Sequence, residues 1–159
     1  MSSGVVDAIR AAGGEVYAVT SEPQALATLA QEEWGLSFEC VGDPHQEIAG
    51  AARHQGMLDL RTSDVGEFIT RDTAWAVSHP KGFYQPGVLA LNSERLLYRW
   101  QSIPTRANMG GASGRPTEDY VWGEIQTALA DTASADAALD EAPVTGGKAP
   151  PFFMFSLML

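Results

Sequence analysis

The stretch from Gln85 to Trp100 constrains the fold of this chain more than any other segment. Val88, Leu89, Ala90 and Leu91 form an unbroken apolar run behind Pro86 and Gly87, which predicts a strand covered on both faces. Leu96, Tyr98 and Trp100 then alternate with Leu97 and Arg99, the two-residue period of a hairpin partner. Asn92 and Ser93 supply the turn, since Asn tolerates left-handed backbone and neither side chain belongs in a core. A β-hairpin of this kind needs a larger sheet to cover it.

The remainder of the chain is long enough to provide one. Its 159 residues, 45% apolar and 9% aromatic, suit a single domain with its own core. A formal charge of -10 repels a phosphate backbone and offers no polybasic patch to anionic lipid, so neither nucleic acid nor a membrane surface is expected as a partner. The opening Met-Ser-Ser-Gly-Val-Val-Asp does not read as a secretory signal, and no apolar run reaches the ~18 residues of a membrane span. A cytoplasmic protein is the expectation. With Cys40 as the single cysteine, no internal disulfide and no cysteine-built metal site can form.

Along the chain, helical and strand patterns alternate. Residues 4–12 read as a helix with Val5, Val6, Ala8, Ile9 and Ala12 on one face, closed by Gly13 and Gly14. Glu15 to Thr20 is a strand. Ser21 is placed to cap a helix running to Trp34, with Gln24 at the reciprocal position and Leu26, Leu29, Ala30 and Trp34 as its core face. Leu36 to Val41 forms a short strand, after which Asp43 is the N-cap and Pro44 the first residue of a helix that runs to Gly56. Residues 57–84 carry a helical pattern at Asp64 to Arg71, broken later by Pro80 and Gly82. Beyond the hairpin, residues 102–116 form a polar, glycine-rich loop. Thr117 caps a last helix, whose buried face is Val121, Trp122, Ile125 and Leu129 and whose first turn holds Glu118 and Asp119.

From Asp131 the composition turns to Ala, Ser, Thr and Asp, followed by Gly146, Gly147, Pro150 and Pro151. Residues 131–159 therefore read as a disordered acidic tail, set apart from a domain at 1–130. The tail ends in Phe152 to Leu159, an apolar segment that is either a loose end or a docking or exchange element.

Three segments carry a resemblance to a known family: Gly13 to Pro23, Glu39 to Ala49, and His79 to Leu91. In that order and spacing they resemble the peroxiredoxin-like redoxins of the AhpC/TSA family, over about Val5 to Leu129. The resemblance implies an α/β fold, a thioredoxin-like mixed sheet flanked by helices, and a family role in thiol-dependent peroxide reduction as an antioxidant oxidoreductase. It implies no cofactor, and a thiol reductant as partner only where the enzyme is active. In that family the redox cysteine follows the first core strand, at the start of a helix whose far end matches Val5 to Ala12. Neither that strand nor a cysteine-bearing helix start has a counterpart here, so the resemblance implies an N-terminally incomplete redoxin without the activated thiol. Pro86 resembles the proline on the active-site face of such folds, often cis; the sequence leaves its isomer open.

Cys40 is the only candidate for thiol catalysis. It lies within a strand between Glu39 and Val41, away from any helix start or basic neighbour, and reads first as a small buried residue. His45 and His79 have too few companions for a metal site, and the loop containing Arg106 and Arg115 lacks the Gly-Lys-Ser/Thr ending of a phosphate loop. The expected sheet comprises residues 15–20, 36–41, 87–92 and 95–100, crossed by helices 22–34 and 117–130. Functionally, the expectation is a redoxin-family protein without a competent peroxidatic site. The alternative is a non-catalytic interaction or homo-oligomerisation module, using the sheet edge left open by the absent strand together with the apolar tail.

Overall fold

The computed structural model describes residues 3–58, 81, 84–93, 95–102, 114–140 and 152–157, with the backbone alone at 3, 133–140 and 152–157. In chain order the elements are α1 (Ser3–Ala11), β1 (Glu15–Thr20), α2 (Gln24–Glu33), β2 (Glu39–Gly42), α3 (Glu47–His54), β3 (Gly87–Asn92), β4 (Arg95–Gln101), α4 (Glu118–Asp140) and β5 (Phe152–Leu157). The architecture is mixed α/β.

One five-stranded sheet organises it, in the order β2-β1-β5-β3-β4. β1 and β2 are parallel, with Ala18 opposite Cys40, and β3 and β4 form the expected antiparallel hairpin. Between the two pairs lies β5. It runs parallel to β1, with Tyr17 opposite Phe155, and antiparallel to β3, with Leu89 opposite the same Phe155.

This position corrects the sequence reading twice. Residues 152–157 form a strand of the sheet where the sequence suggests a disordered tail, and this strand occupies the position between β1 and β3, for which the sequence reading supplies no strand. The boundary at residue 130 also moves, because α4 continues to Asp140. Alanine has the highest helix propensity, and Ala128, Ala130, Ala133, Ala135, Ala137 and Ala138 carry the helix onward despite the interspersed Asp and Ser. The acidic, Ala-, Ser- and Thr-rich composition suggests disorder where local propensity favours helix. The strand misreading has another cause: a short apolar run after Pro150 and Pro151 has a β-sheet composition, but its partners are far away in sequence.

Alternation along β1 divides the core between the two sheet faces. On one, Val16, Ala18 and Cys40 pack with Ala90, with Val5, Val6 and Ile9 of α1, with Ala27 of α2, and with Val121 and Ile125 of α4. On the other, Val19 and Leu89 pack with Ala49 of α3, Leu58 and Tyr84. The α1 and α4 faces thus follow the expected pattern. The face of α2 does not: Leu26, Leu29 and Trp34 are exposed, and the small Ala27 is the buried contact. A small residue allows the helix to approach β2 closely.

The reason for that approach lies at the strand edge. Gln24 donates its side-chain N–H to the Cys40 carbonyl at 2.9 Å and accepts the Gly42 N–H at 2.8 Å, while Gln31 accepts the Cys40 N–H at 2.9 Å. Two amide side chains of α2 therefore satisfy the outer edge of β2, which would otherwise offer unpaired backbone groups to another chain. The sequence pattern predicts that Gln24 completes a capping box with Ser21. Its amide serves β2 instead, and the helix begins without a side-chain cap behind Pro23.

The hairpin contains one irregularity. Ala90 pairs with Tyr98 whereas Leu91 pairs with Leu96, so Leu97 is the extra residue of a β-bulge. The bulge breaks the predicted alternation: Leu97 and Tyr98 both pack against the α1 and α4 core, and Leu96 is exposed. Asn92 closes β3 opposite Arg95, and Ser93 takes the left-handed conformation at φ 53°.

Candidate functional site

The polar residues that are buried cluster where β1 and β2 end. Because the two strands are parallel, the turns after Thr20 and Gly42 lie at the same end of the sheet, where open α/β sheets generally place their ligands. Asp43 N–H donates to the Thr20 carbonyl at 2.7 Å and joins the two turns. Ser21 is fully buried, and its hydroxyl oxygen accepts the Tyr84 N–H at 3.3 Å. The segment Tyr84, Gln85 and Pro86 follows, buried throughout, before β3 starts.

Asp43 is the centre of this cluster. Its carboxylate accepts N–H groups from Glu47 at 2.7 Å, Ile48 at 3.0 Å and Ala49 at 3.3 Å, and the hydroxyl of Tyr84 donates to it as well. Asp43 thus caps α3, as its place in the sequence predicted, but from farther away. Pro44 does not open the helix; the chain first turns through Gln46, in the left-handed region at φ 56°, and α3 begins at Glu47. A carboxylate satisfies several of the free N–H groups of a helix start at once and complements its dipole.

Burial holds the Tyr84 hydroxyl well above its usual range, reinforced by the hydrogen bond to Asp43 and by that group's charge. Tyr84 therefore stays a protonated donor at physiological pH. With its oxygens committed to α3 and Tyr84, Asp43 acts as a fixed joint between β2, α3 and the entry to β3.

Cys40 lies on β2 among Val16, Ala18, Ala27 and Phe38, with only 6% of its surface exposed. Desolvation raises its thiol above the ordinary value, and the neighbouring Glu39 carboxylate raises it further. Both effects oppose the thiolate, the form that attacks peroxides or disulfides. Pro86 enters β3 next to Tyr84 and Gln85, and its carbonyl accepts the Ser102 N–H at 2.8 Å. Its peptide bond is trans, as are all those described. The structure does not join the two sequence candidates into one site: Cys40 packs toward α1 and α2, whereas Pro86 belongs to the Asp43 and Tyr84 end.

His45 is exposed in the turn before α3, and His79 and Arg106 lie outside the described residues. Arg115 is exposed ahead of α4, where Thr117 accepts the Tyr120 N–H at 3.3 Å and so provides the expected cap. The rest of that loop, residues 103–113, lies outside the described residues, as does the helix expected at Asp64 to Arg71. Among the described residues there is no group of three or more His, Cys, Asp or Glu side chains placed to hold a metal ion. No described helix is long and apolar enough to cross a membrane.

Among the described residues, two of the concavities beside the sheet are apolar. One, about 250 Å³, opens between α3 and β3 and is lined by Val19, Ile48, Met57, Leu89 and the Tyr84 ring. The other, about 440 Å³, lies beside α2 and is lined by Leu26, Trp34, Phe38 and Cys40. Both are predominantly apolar and offer packing to a hydrocarbon group more readily than acid–base chemistry. Sequence reasoning missed Tyr84, Gln24 and Gln31 as organising residues. Only for Tyr84 was there a local signal, an aromatic residue directly ahead of Gln85-Pro86.

No family model matches this chain, and neither the curated proteins nor the solved structures contain a match.

Proposed function

We propose that this chain is a thioredoxin-like scaffold of the AhpC/TSA redoxin type that does not carry out thiol peroxidase chemistry at Cys40. The observation behind this reading is the sheet order. β5 runs parallel to β1 and antiparallel to β3, and the strand that leads into the reactive cysteine has those same neighbours in a thioredoxin-like sheet. The Tyr84-Gln85-Pro86 entry to β3 lies at the sheet end where the family's active-site proline is expected.

The chemistry of Cys40 supports the non-catalytic half. Its thiol is buried in an apolar cluster on a strand and is biased toward the protonated state. Such a thiol is a packing group. The scaffold then acts by binding, through its apolar concavities and its strand pairings.

Labelling with a thiol reagent tests this directly. Native protein is expected to react at least ~100-fold more slowly at pH 7 than denatured protein, because only the latter presents a solvated thiol with an ordinary pKa. The native rate should climb as pH rises past the usual cysteine range, since the folded thiol ionises later. Peroxide consumption with a dithiol reductant should be the same for native protein and Cys40→Ser, at the level of the buffer. Fast native labelling at pH 7, with peroxide turnover that Cys40→Ser abolishes, would overturn the reading.

A further inference from the structure

The strand at the centre of the sheet is also the last of the described elements in chain order. β5 pairs with β1 over Glu15 to Ala18 and with β3 over Gly87 to Asn92, and β1 and β3 do not neighbour one another in the sheet. Withdrawing β5 would leave a β2-β1 pair and a β3-β4 pair facing each other across a slot one strand wide. Both rims would then carry unpaired N–H and C=O groups.

β5 connects to α4 through residues 141–151. A segment of that length spans up to roughly 36 Å when extended, enough to reach from one small domain into another. Its sequence holds Gly146, Gly147, Pro143, Pro150 and Pro151. The strand itself, Phe-Phe-Met-Phe-Ser-Leu, is uncharged and apolar, so once released it re-enters a sheet in preference to remaining in water.

We propose that a second copy of this chain fills the slot with its own Phe152–Leu157, giving a reciprocal strand-exchanged dimer alongside the closed monomer. The two forms make the same pairings with β1 and β3, so mass action and the strain of the connecting segment set their balance. Reciprocity closes the assembly at two chains, because each copy donates one strand and accepts one. The outer edge of β2 is already satisfied by Gln24 and Gln31, which directs association to the slot and away from that edge. The inference rests on the pairing of β5 and is independent of the redoxin reading.

A disulfide trap in the full chain decides it. Val88 and Ser156 are register partners across β3 and β5, and such pairs lie within disulfide range in an antiparallel ladder. In a Cys40→Ser background, one chain carries Val88→Cys and another Ser156→Cys. The two are mixed, incubated near the onset of thermal unfolding to permit opening, cooled and oxidised. A covalent heterodimer, increasing at least several-fold in yield between micromolar and near-millimolar protein, is the expected result. The chain carrying both substitutions should close on itself when dilute and form dimers when concentrated. Light scattering on the unsubstituted protein, treated the same way, should show a species of twice the chain mass and guards against misfolding of the variants. Self-closure of the double variant at every concentration, with no heterodimer and only monomer by light scattering, would overturn the proposal.

Discussion

Alanine in place of Gly42 is expected to lower the stability of this protein by about 3 kcal/mol, or roughly 10 °C in Tm for a chain of this size. A Cβ at this position would lie 2.5 Å from the backbone N of Gln24, 2.6 Å from the carbonyl O of Glu22 and 2.7 Å from the Gln24 Cα. All three belong to the main chain, so no rotamer change relieves the contact. Either α2 moves off β2 or β2 shifts along β1, and both break the bonds from Gln24 to Gly42 and Cys40. Gly50 provides the control. It lies within α3 with nothing within 4 Å of its added Cβ, so Gly50→Ala should raise stability by about 0.5–1 kcal/mol. Thermal unfolding followed by circular dichroism reads both. Loss of stability in the two variants alike would mean that close approach at Gly42 is not the cause.

Replacing Asp43 with alanine is expected to cost a similar amount, about 3–4 kcal/mol, by a different route. The substitution removes the carboxylate that accepts the N–H groups of Glu47, Ile48 and Ala49 and the buried hydroxyl of Tyr84, and leaves that hydroxyl only the residue-43 carbonyl, at 3.4 Å. The part-buried N–H groups of Glu47 and Ile48 recover some of the loss by binding water, whereas the Ala49 N–H and the Tyr84 hydroxyl, in residues only 3% and 2% exposed, do not. Tyr84→Phe alone should cost about 1–2 kcal/mol, because the carboxylate retains its helix partners. Combined with Asp43→Ala, Tyr84→Phe should add less than it costs alone, since the hydroxyl it removes has already lost its carboxylate partner and keeps only the long contact with the residue-43 carbonyl. Urea unfolding of the two single variants and the double variant measures this coupling, expected at about 1 kcal/mol or more. Additive losses would show that Asp43 and Tyr84 act separately.

Much of this arrangement is legible in the sequence where the signal is local. The hairpin, the β1 strand, the glycine ends of α1 and α2, the Thr117 cap and the Val121/Ile125 face all follow from neighbours within a turn or a strand. Asp43 was recognisable as a cap because Asp-Pro ahead of an apolar pattern is a helix-start signal. What escaped the sequence depends on distant partners. Gln24 and Gln31 read as ordinary helix residues until β2 is placed beside them. Leu97 reads as the outward member of an alternating strand until the bulge turns it inward. Leu26, Leu29 and Trp34 had the spacing of a core face, but satisfying the edge of β2 fixed α2 by its glutamines and by Ala27, leaving those side chains outside.

The site was legible to a smaller extent. Cys40 was correctly placed on a strand, and its burial follows from that. Pro86 was correctly placed at the entry to β3, whereas Tyr84 and Ser21 became its neighbours only through the closure of the sheet. The largest departure, β5, has the same origin. A strand composition says nothing of which rims it will bridge, and here these are β1 and β3, both distant from it in sequence.

The central place of β5 is therefore the claim on which the rest depends, and hydrogen exchange of its amides tests it most directly. Paired on both sides, the amides of Phe153 to Ser156 should exchange as slowly as those of β1 and β3 and be released only by the global unfolding of the sheet. This holds whether the strand is the chain's own or a second copy's, since both make the same pairings. Exchange of these amides at the rate of an unfolded peptide, while β1 and β3 remain protected, would contradict the account.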